Sequence, residues 1–277
     1  MQRISRSWRL MKQSYGVLMQ DKELMVLPIL SGLCLLLILA SFFFGLGLNQ
    51  EGMFESIERG EQDTKLMISA FLFYVVTYTA AFFFQAAIVA GASERLAGGD
   101  PTLGSALGAA GRRFPAILMW GIIAATVGMI LRALEERFEA VGRFVVGLIG
   151  VAWTLATFFM VPILVMEQKS VGTSFKDSWT LFKKTWGEMV TGNVGLGLAS
   201  FIVMLPILLI AGALFSAGMA VAAIVVGVLG VGLVTIFFSA LNGVWMASLY
   251  RYATKGDVPP GFDPDVFGSA FVAKAAK

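Results

Sequence analysis

The sequence predicts an all-α protein: a polytopic membrane helix bundle of six transmembrane helices arranged as three pseudo-repeats, each an in-plane amphipathic helix plus a transmembrane hairpin. Of the 277 residues, 57% are hydrophobic and 14% are charged, whereas a soluble globular domain has roughly 25% charged residues. Six apolar runs are long enough to span a bilayer, and one ladder of apolar residues occurs three times. We expect a single integral membrane domain over residues 1–254, followed by a cytoplasmic tail at 255–277.

The six spans are expected where about 20 consecutive residues are predominantly apolar. They lie at residues 24–48, 66–92, 115–131, 144–166, 193–214 and 218–249. The boundary between the last two is the weakest, because residues 193–249 carry no charge and only the stretch from Gly212 to Gly218 indicates a turn. Pro162 and Pro206 lie inside spans, where proline kinks a helix or removes a hydrogen bond.

The repeated ladder has apolar residues at positions i, i+4, i+7, i+11 and i+14, which form one face of an α-helix. It runs from Ile4 to Leu18, from Leu103 to Ile117 and from Phe175 to Met189. Basic and polar residues fill the gaps, a composition typical of a helix that lies on a membrane surface. The first and third copies also share Ser-Trp-x-Leu-x-Lys in the same register. The repeat units are expected at about 1–92, 100–166 and 172–249.

The basic residues predict the orientation of the chain in the membrane. Sixteen of the 21 lysines and arginines lie in the N-terminal lead, in the second-to-third and fourth-to-fifth connections, and in the tail. Cytoplasmic loops carry an excess of Lys and Arg. Both termini and all three amphipathic helices are therefore expected on the cytoplasmic side of the cell (inner) membrane. The polar lead before the first apolar run is too long for the charged n-region of a signal peptide, so that run is expected to remain as a span.

The amphipathic helices supply candidate contacts to lipid headgroups or to a partner. Aromatic rings favour the headgroup level and cations favour anionic lipid; packing of the same rings on the end of the bundle is the alternative. The candidates are Trp8, Arg9, Lys12, Arg112, Arg113, Trp179, Lys183, Lys184 and Trp186. Polar residues in or next to the spans form a second set of candidates, for which interhelical hydrogen bonding is the commoner role. They are Gln85, Glu167, Asn193 and Asn242.

The sequence contains no recognisable catalytic set. It has no histidine and one cysteine, Cys34, inside an apolar run, so the commonest general base and any disulfide within the chain are missing. Zinc-ligand spacing and a phosphate-binding loop are also missing, and the nearly uncharged spans disfavour a proton-coupled pump. We expect no enzyme activity, no cofactor, no metal site and no nucleic-acid partner.

Several short segments carry a resemblance to known proteins: Asp21-Lys22-Glu23-Leu24, Arg95-Leu96-Ala97-Gly98-Gly99-Asp100-Pro101, Val161-Pro162-Ile163-Leu164, and Tyr250-Arg251-Tyr252-Ala253 with Pro259-Pro260-Gly261-Phe262. They resemble a bacterial and archaeal family of multi-pass membrane proteins of unknown function, over nearly the whole chain. More distantly, the chain is similar to the membrane domain of some glycerophosphodiester phosphodiesterases, without their catalytic partner. This resemblance implies no activity, substrate or site residue.

Two functions from different classes fit this pattern. The first is a non-enzymatic, lipid-interacting scaffold or accessory subunit of a membrane complex, in contact with membrane lipids, above all anionic ones. The alternative is a permease for a small apolar or lipid-like solute that uses the kinks at Pro162 and Pro206. Nothing in the sequence indicates the oligomeric state. The prolines after Tyr252 predict an extended segment that docks against the bundle or binds a partner.

Overall fold

The computed structural model describes residues 2–45, 64–138 and 140–263, and all regular structure in these ranges is helical. Some helical residues are described by their backbone alone, without their side chains: residues 2–8, 10, 65–66, 140–141 and 186–194. The described α-helices are α1 Gln2–Leu18, α2 Val26–Gly45, α3 Thr64–Leu96, α4 Leu103–Arg112, α5 Phe114–Arg137, α6 Ala140–Ala156, α7 Met160–Met166, α8 Val171–Ser216 and α9 Ala220–Lys255. A 3-10 helix, Lys22–Met25, precedes α2. The all-α fold class is confirmed.

Within the described ranges, six helical segments are long and apolar enough to cross a membrane, which confirms the six predicted spans. They are Lys22–Gly45, Met67–Leu96, Phe114–Arg137, Gly142–Met166, Gly195–Ser216 and Ala220–Lys255. Their apolar side chains are mostly exposed: only 6% of the most apolar window of Gly195–Ser216 is buried. Such continuous apolar surface is stable against lipid rather than water. The architecture is that of a multi-pass membrane protein.

A glycine turn separates the fifth and sixth spans, as the sequence suggested. The N–H of Met219 donates to the carbonyl of Leu214 at 2.9 Å, and the N–H of Gly218 donates to the carbonyl of Phe215 at 3.0 Å. This pair of bonds is the Schellman motif, which needs a left-handed residue after the helix. Gly218 adopts that conformation with φ of 78°, so an otherwise uninterrupted apolar run reverses here.

The three amphipathic stretches end differently. Residues 19–21 and the 3-10 helix separate α1 from α2, and Arg113 separates α4 from α5. The third stretch has no such break, because α8 continues for 46 residues, about 69 Å at 1.5 Å per residue. We predicted a separate in-plane helix and span here, and the structure instead has one helix, since no proline interrupts it before Pro206. The division into three pseudo-repeats stays a prediction.

Proline has opposite effects in the fourth and fifth spans. The fourth is broken at residues 157–159, between α6 and α7, with Pro162 in the first turn of α7. In a continuous helix the ring of Pro162 would clash with the carbonyl of Phe158, which explains a break at this place. Pro206, by contrast, lies within α8 without ending it. The predicted interruption is therefore confirmed at Pro162, while the helix accommodates Pro206.

A serine from another helix satisfies the backbone groups that the break at residues 157–159 frees. The hydroxyl of Ser178, in α8, accepts the N–H of Phe159 at 3.1 Å and donates to the carbonyl of Ala156 at 2.7 Å. Ser178 is fully buried. Within a membrane an unsatisfied backbone group is costly, so this one side chain makes the broken span tolerable.

Contacts divide the chain into two compact units that do not follow chain order. The first unit comprises Met1–Pro28, Ile88–Ala106 and Leu181–Lys277, and the second comprises Ile29–Ala87 and Leu107–Thr180. The expected single domain over residues 1–254 stays a prediction.

Each unit has its own buried centre. In the first, α3 and α9 approach so closely at Gly243 that a methyl group there would overlap with Ile88. In the second, Trp120 stacks on Trp153 with ring centroids 5.7 Å apart, and Met160, Leu164 and Val171 pack beside Trp120. A small residue permits the close helix contact in the first unit. Stacked aromatic rings fill the helix contact in the second unit.

The described part of the tail docks on the first unit, which was one of its two expected fates. The side chain of Arg251 donates to Asp257 at 2.8 Å and to the backbone carbonyl of Leu96. Gly261 lies against the side chain of Val17, and Phe262 is buried. The chain after α9 is therefore held against the ends of α1 and α3.

We expect Ser178→Ala to destabilise the protein by about 1–3 kcal/mol, because the buried N–H of Phe159 and the partly buried carbonyl of Ala156 lose their partner. Ser174 is the matched control: it lies one turn away in α8, is equally buried, and its hydroxyl has no hydrogen-bond partner among the described residues. Ser174→Ala should have a neutral or slightly stabilising effect. Thermal stability of the detergent-solubilised protein, followed by size-exclusion chromatography after heating, measures both variants. Equal losses in the two would contradict this role of Ser178.

We expect acid to release the docked tail. The hydrogen bond from Arg251 holds the pKa of Asp257 below its ordinary value, so the pair stabilises docking above about pH 4, the ordinary range of an aspartate, and this stabilisation is lost as the pH falls through the lowered pKa. Asp257→Asn should remove the same interaction at neutral pH. The measurement is hydrogen–deuterium exchange of residues 256–263, corrected for the intrinsic effect of pH. Exchange at the Gly218 turn should stay constant, and an Asn variant that exchanges like the unchanged protein would refute the effect.

Candidate functional site

The buried face of α1 coincides only partly with the predicted apolar ladder. Tyr15 and Leu18 both belong to the ladder, yet Tyr15 is 42% exposed whereas Leu18 is buried, together with Ser14 and Val17. The helix therefore packs inward through a face that includes a serine, and it leaves an aromatic ring outside. Trp8, another member of the ladder, has a side chain outside the described residues.

The beginning of α8 has the same arrangement. Ser174, Ser178 and Thr185 are buried, while Phe175 is exposed and Trp179 is 42% exposed. In the aligned sequence repeat, Thr185 occupies the position of Ser14 in the first copy. The repeated Ser/Thr position thus faces the protein in both copies, and the Trp/Tyr positions described face outward. Trp186, like Trp8, has a side chain outside the described residues.

Small residues also form the buried face of α4. Ala106 and Ala110 are buried, whereas Arg112 is exposed. In register with the other copies, Ala106 corresponds to Ser178. Small side chains therefore contribute to the inward face of each amphipathic segment, beside Val17 and Leu18 in α1, and small side chains permit close helix approach.

Five of the six predicted headgroup cations are exposed: Arg9, Lys12, Arg112, Lys183 and Lys184. Arg113 has a different environment, because it is half-buried and its guanidinium donates to the carbonyls of Leu164 at 2.8 Å and Lys169 at 2.6 Å. It satisfies carbonyl groups at and beyond the end of α7, a role that basic residues often take near helix C-termini. Sequence reasoning missed this role because the acceptors lie more than fifty residues away.

Glu167 lies at the end of the fourth span and not within it. It pairs with Lys169, which also donates to Asp177 at 2.7 Å. The hydrogen bond to Asp177, followed by that to Glu167, raises the pKa of Lys169. Its ammonium group therefore stays charged and paired with both carboxylates.

The remaining intramembrane candidates are partly buried where their side chains are described. These are Gln85 and Asn242. The side chain of Asn193 lies outside the described residues. Among the described residues there is no group of three or more His, Cys, Asp or Glu side chains placed to hold a metal ion.

Sequence reasoning did not find the charged junction at one end of the first unit. Arg95, at the end of α3, pairs with the buried Asp21 between α1 and α2, and with Asp100 before α4 at 2.7 Å. Glu23 accepts the N–H of Leu103 at 3.1 Å at the start of α4. The segments that carry the family resemblance, Asp21–Leu24 and Arg95–Pro101, thus meet here. Because Arg95 is paired with both Asp21 and Asp100, we interpret the junction as a structural contact between these segments.

An apolar groove opens in the first unit between α1, α8 and α9. Its volume is about 650 Å³. Met11, Lys12 and Tyr15 line it from α1, Ala199 and Val203 from α8, and five residues between Leu233 and Leu241 from α9. The rings of Tyr15 and Phe237 contact each other, with centroids 5.8 Å apart. Lys12 is the one charged side chain among these lining residues, so the groove combines an apolar wall with a cationic rim.

Comparison with known proteins gives one family. No match was found among curated proteins or among solved structures, and the more distant likeness to glycerophosphodiester phosphodiesterase membrane domains stays a prediction. The family match covers residues 64–260, from the start of α3 to the docked tail, and so takes in more than two thirds of the chain. The chain belongs to the family of unknown function DUF6159.

Proposed function

We propose that this protein is a non-enzymatic membrane component that binds anionic lipid through its amphipathic helices and serves as a scaffold or accessory subunit of a membrane complex. The observation that carries the proposal is the orientation of these helices. In α1 and at the start of α8, Ser14, Ser174 and Ser178 are among the residues that face the protein, while Tyr15, Trp179 and the basic residues around them are exposed.

Exposed rings and cations on the same helix suit the headgroup region of a bilayer. Tyr and Trp place an apolar ring beside lipid tails and a polar atom beside water. A lysine or arginine near an anionic surface contributes about 1 kcal/mol to binding. Their placement at the cytoplasmic face of the cell membrane follows from the excess of basic residues in the connections that contain these helices, and it is part of the proposal.

The spans support the role of a scaffold or accessory subunit. Along Gly195–Ser216 and the first half of α9, large apolar side chains such as Leu209, Phe215 and Val221 are more than half exposed. This surface is available to lipid and to the helices of a partner protein. Association between membrane helices relies on close packing and on small residues, and both spans are rich in glycine and alanine.

The alternative, a permease for a small apolar or lipid-like solute, draws on the break between α6 and α7. Broken helices at membrane depth mark the binding sites of many transporters. Here, however, Phe159, Met160, Ile163 and Leu164 are fully buried around the break, so these side chains fill the space that a solute would use. Flux of a fluorescent lipid analogue across proteoliposomes tests this alternative directly.

We expect neutralisation of the exposed cations to reduce the preference of the protein for anionic lipid. The variant replaces Arg9, Arg112, Lys183 and Lys184 with Gln and leaves Arg113 intact because of its bonds to α7. Quenching of tryptophan fluorescence by brominated phosphatidylglycerol, relative to brominated phosphatidylcholine, measures the preference. It should fall about fivefold or more, given the contribution of each basic residue near an anionic surface, and 0.5 M salt should lower it in the unchanged protein by screening (Debye length about 4 Å).

The matched control compares two double variants, each of which removes two positive charges. Lys183→Gln with Lys184→Gln removes two cations from α8. Arg137→Gln with Arg143→Gln removes two exposed cations at the far end of α5 and the start of α6. The two ends of α5 are about 35 Å apart, from its 24 residues. Only the first pair should lower the preference for anionic lipid. An equal effect of both pairs, or of neither, would reject the proposed role of the amphipathic helices.

A further inference from the structure

The groove between α1, α8 and α9 has the features of a binding site for a single amphipathic molecule. We propose that it holds one anionic phospholipid, with an acyl chain along the apolar wall and the phosphate beside Lys12. This inference rests on the proposed lipid-binding function, which it extends from a general preference for anionic lipid to a defined site.

The wall of the groove fits an acyl chain. Ala199, Val234 and Leu241 are buried and form its floor, while Val203 and Leu233 are exposed at its edges. A volume of about 650 Å³ falls within the range of roughly 300–1,000 Å³ found for pockets that hold small molecules. The described lining residues include no carboxylate and few hydrogen-bonding groups, so an apolar chain can displace lipid or water from them without leaving their polar atoms unpaired.

The rim of the groove fits an anionic headgroup. Lys12 is exposed and forms no ion pair with any residue that the structure describes. Lysine binds phosphate as a point charge, and the phenol of Tyr15 can donate one hydrogen bond. Contact with Phe237 holds the ring of Tyr15 against α9. Lys12 and Tyr15 both line the groove from α1, so α1 supplies it with a positive charge and a hydroxyl.

The depth of the groove along α9 agrees with the position of a lipid in one leaflet. From Ala220, where α9 begins, to Leu241 the helix rises about 32 Å at 1.5 Å per residue. The hydrocarbon core of a bilayer is about 30 Å thick. Leu241 therefore lies near the interface, and Leu233 lies about 12 Å deeper along the helix. This interval runs from the headgroup level into the acyl region, as a bound phospholipid requires.

Native mass spectrometry of the full chain in mild detergent, titrated with dioleoyl phosphatidylglycerol or dioleoyl phosphatidylcholine, tests the site. We expect one molecule of phosphatidylglycerol to be retained per chain, in preference to phosphatidylcholine. Lys12→Gln should lower this preference about fivefold, the contribution of one basic residue at the surface. Lys22→Gln is its control, because Lys22 is exposed in the 3-10 helix that follows α1, does not line the groove and is not among the proposed headgroup contacts.

A second pair of variants tests the apolar wall. Val203→Trp fills the groove from its edge and should abolish retention of the single lipid. Ile202→Trp is the control, since Ile202 is the neighbouring residue, faces outward and does not line the groove. Val203 and Ile202 are 48% and 58% exposed, so both rings can be accommodated without disturbing the core. Elution as a single symmetric peak confirms that each variant is folded.

The outcomes separate this inference from the proposed function. If Val203→Trp retains phosphatidylglycerol as well as Ile202→Trp does, or if the unchanged protein retains both lipids equally, the groove is not an anionic-lipid site. Loss of the single lipid only in the groove variants, with an unchanged quenching preference in the four-residue Gln variant, would sustain the site and refute the wider role of the exposed cations. The reverse pattern would sustain that wider role and overturn the site.

Discussion

The structure depends on satisfying the backbone groups at helix ends with side chains from distant parts of the sequence. Ser178 bonds to both sides of the break between α6 and α7, and Arg113 donates to the carbonyl groups at the end of α7. Arg251 donates to a carbonyl at the end of α3, and Glu23 accepts an N–H at the start of α4. Helix ends leave several such groups without partners, and lipid offers none. Each of these side chains therefore fixes where a helix can end and which helix it lies beside.

The same constraint explains the orientation of the amphipathic helices. A helix that packs closely enough for a serine to reach another backbone must present small residues at the contact. Ser178 and Ala106 fill that place in the third and middle copies, and Ser14 and Thr185 occupy a second shared inward position. The large rings one residue further along, such as Trp179, are then directed outward. The surface that a lipid meets is thus a consequence of how the interior is packed, and the proposed lipid-binding role and the groove beside α1 both depend on it.

Much of the fold could be predicted from residue patterns. The all-α class, the six spans, the turn near Gly218 and the interruption caused by Pro162 follow from hydrophobic length and from the backbone properties of glycine and proline. The arrangement of the candidate site was harder to predict from the sequence. The basic residues could be named from the sequence, and headgroup contact was the expectation for the aromatic rings, with packing on the bundle as the alternative. The buried serine and threonine positions were not predicted, because these residues count as polar in a helical pattern although their short side chains fit a close helix contact. The continuity of α8 was also missed, since amphipathic and apolar stretches look like separate elements even when no residue stops the helix between them.

The sequence by itself determined what is local: which stretches are helical, which are apolar enough to enter lipid, and where a chain without charge must turn. These properties depend on a residue and its near neighbours along the chain. Only the tertiary structure decided that Arg113 and Arg251 bond to backbone carbonyls, that Arg95 joins Asp21 to Asp100, and that α1 lies against α8 and α9 to leave a groove with Lys12 at its rim. Those arrangements join residues tens to hundreds of positions apart, and a helical pattern carries no information about which distant group will supply the missing partner.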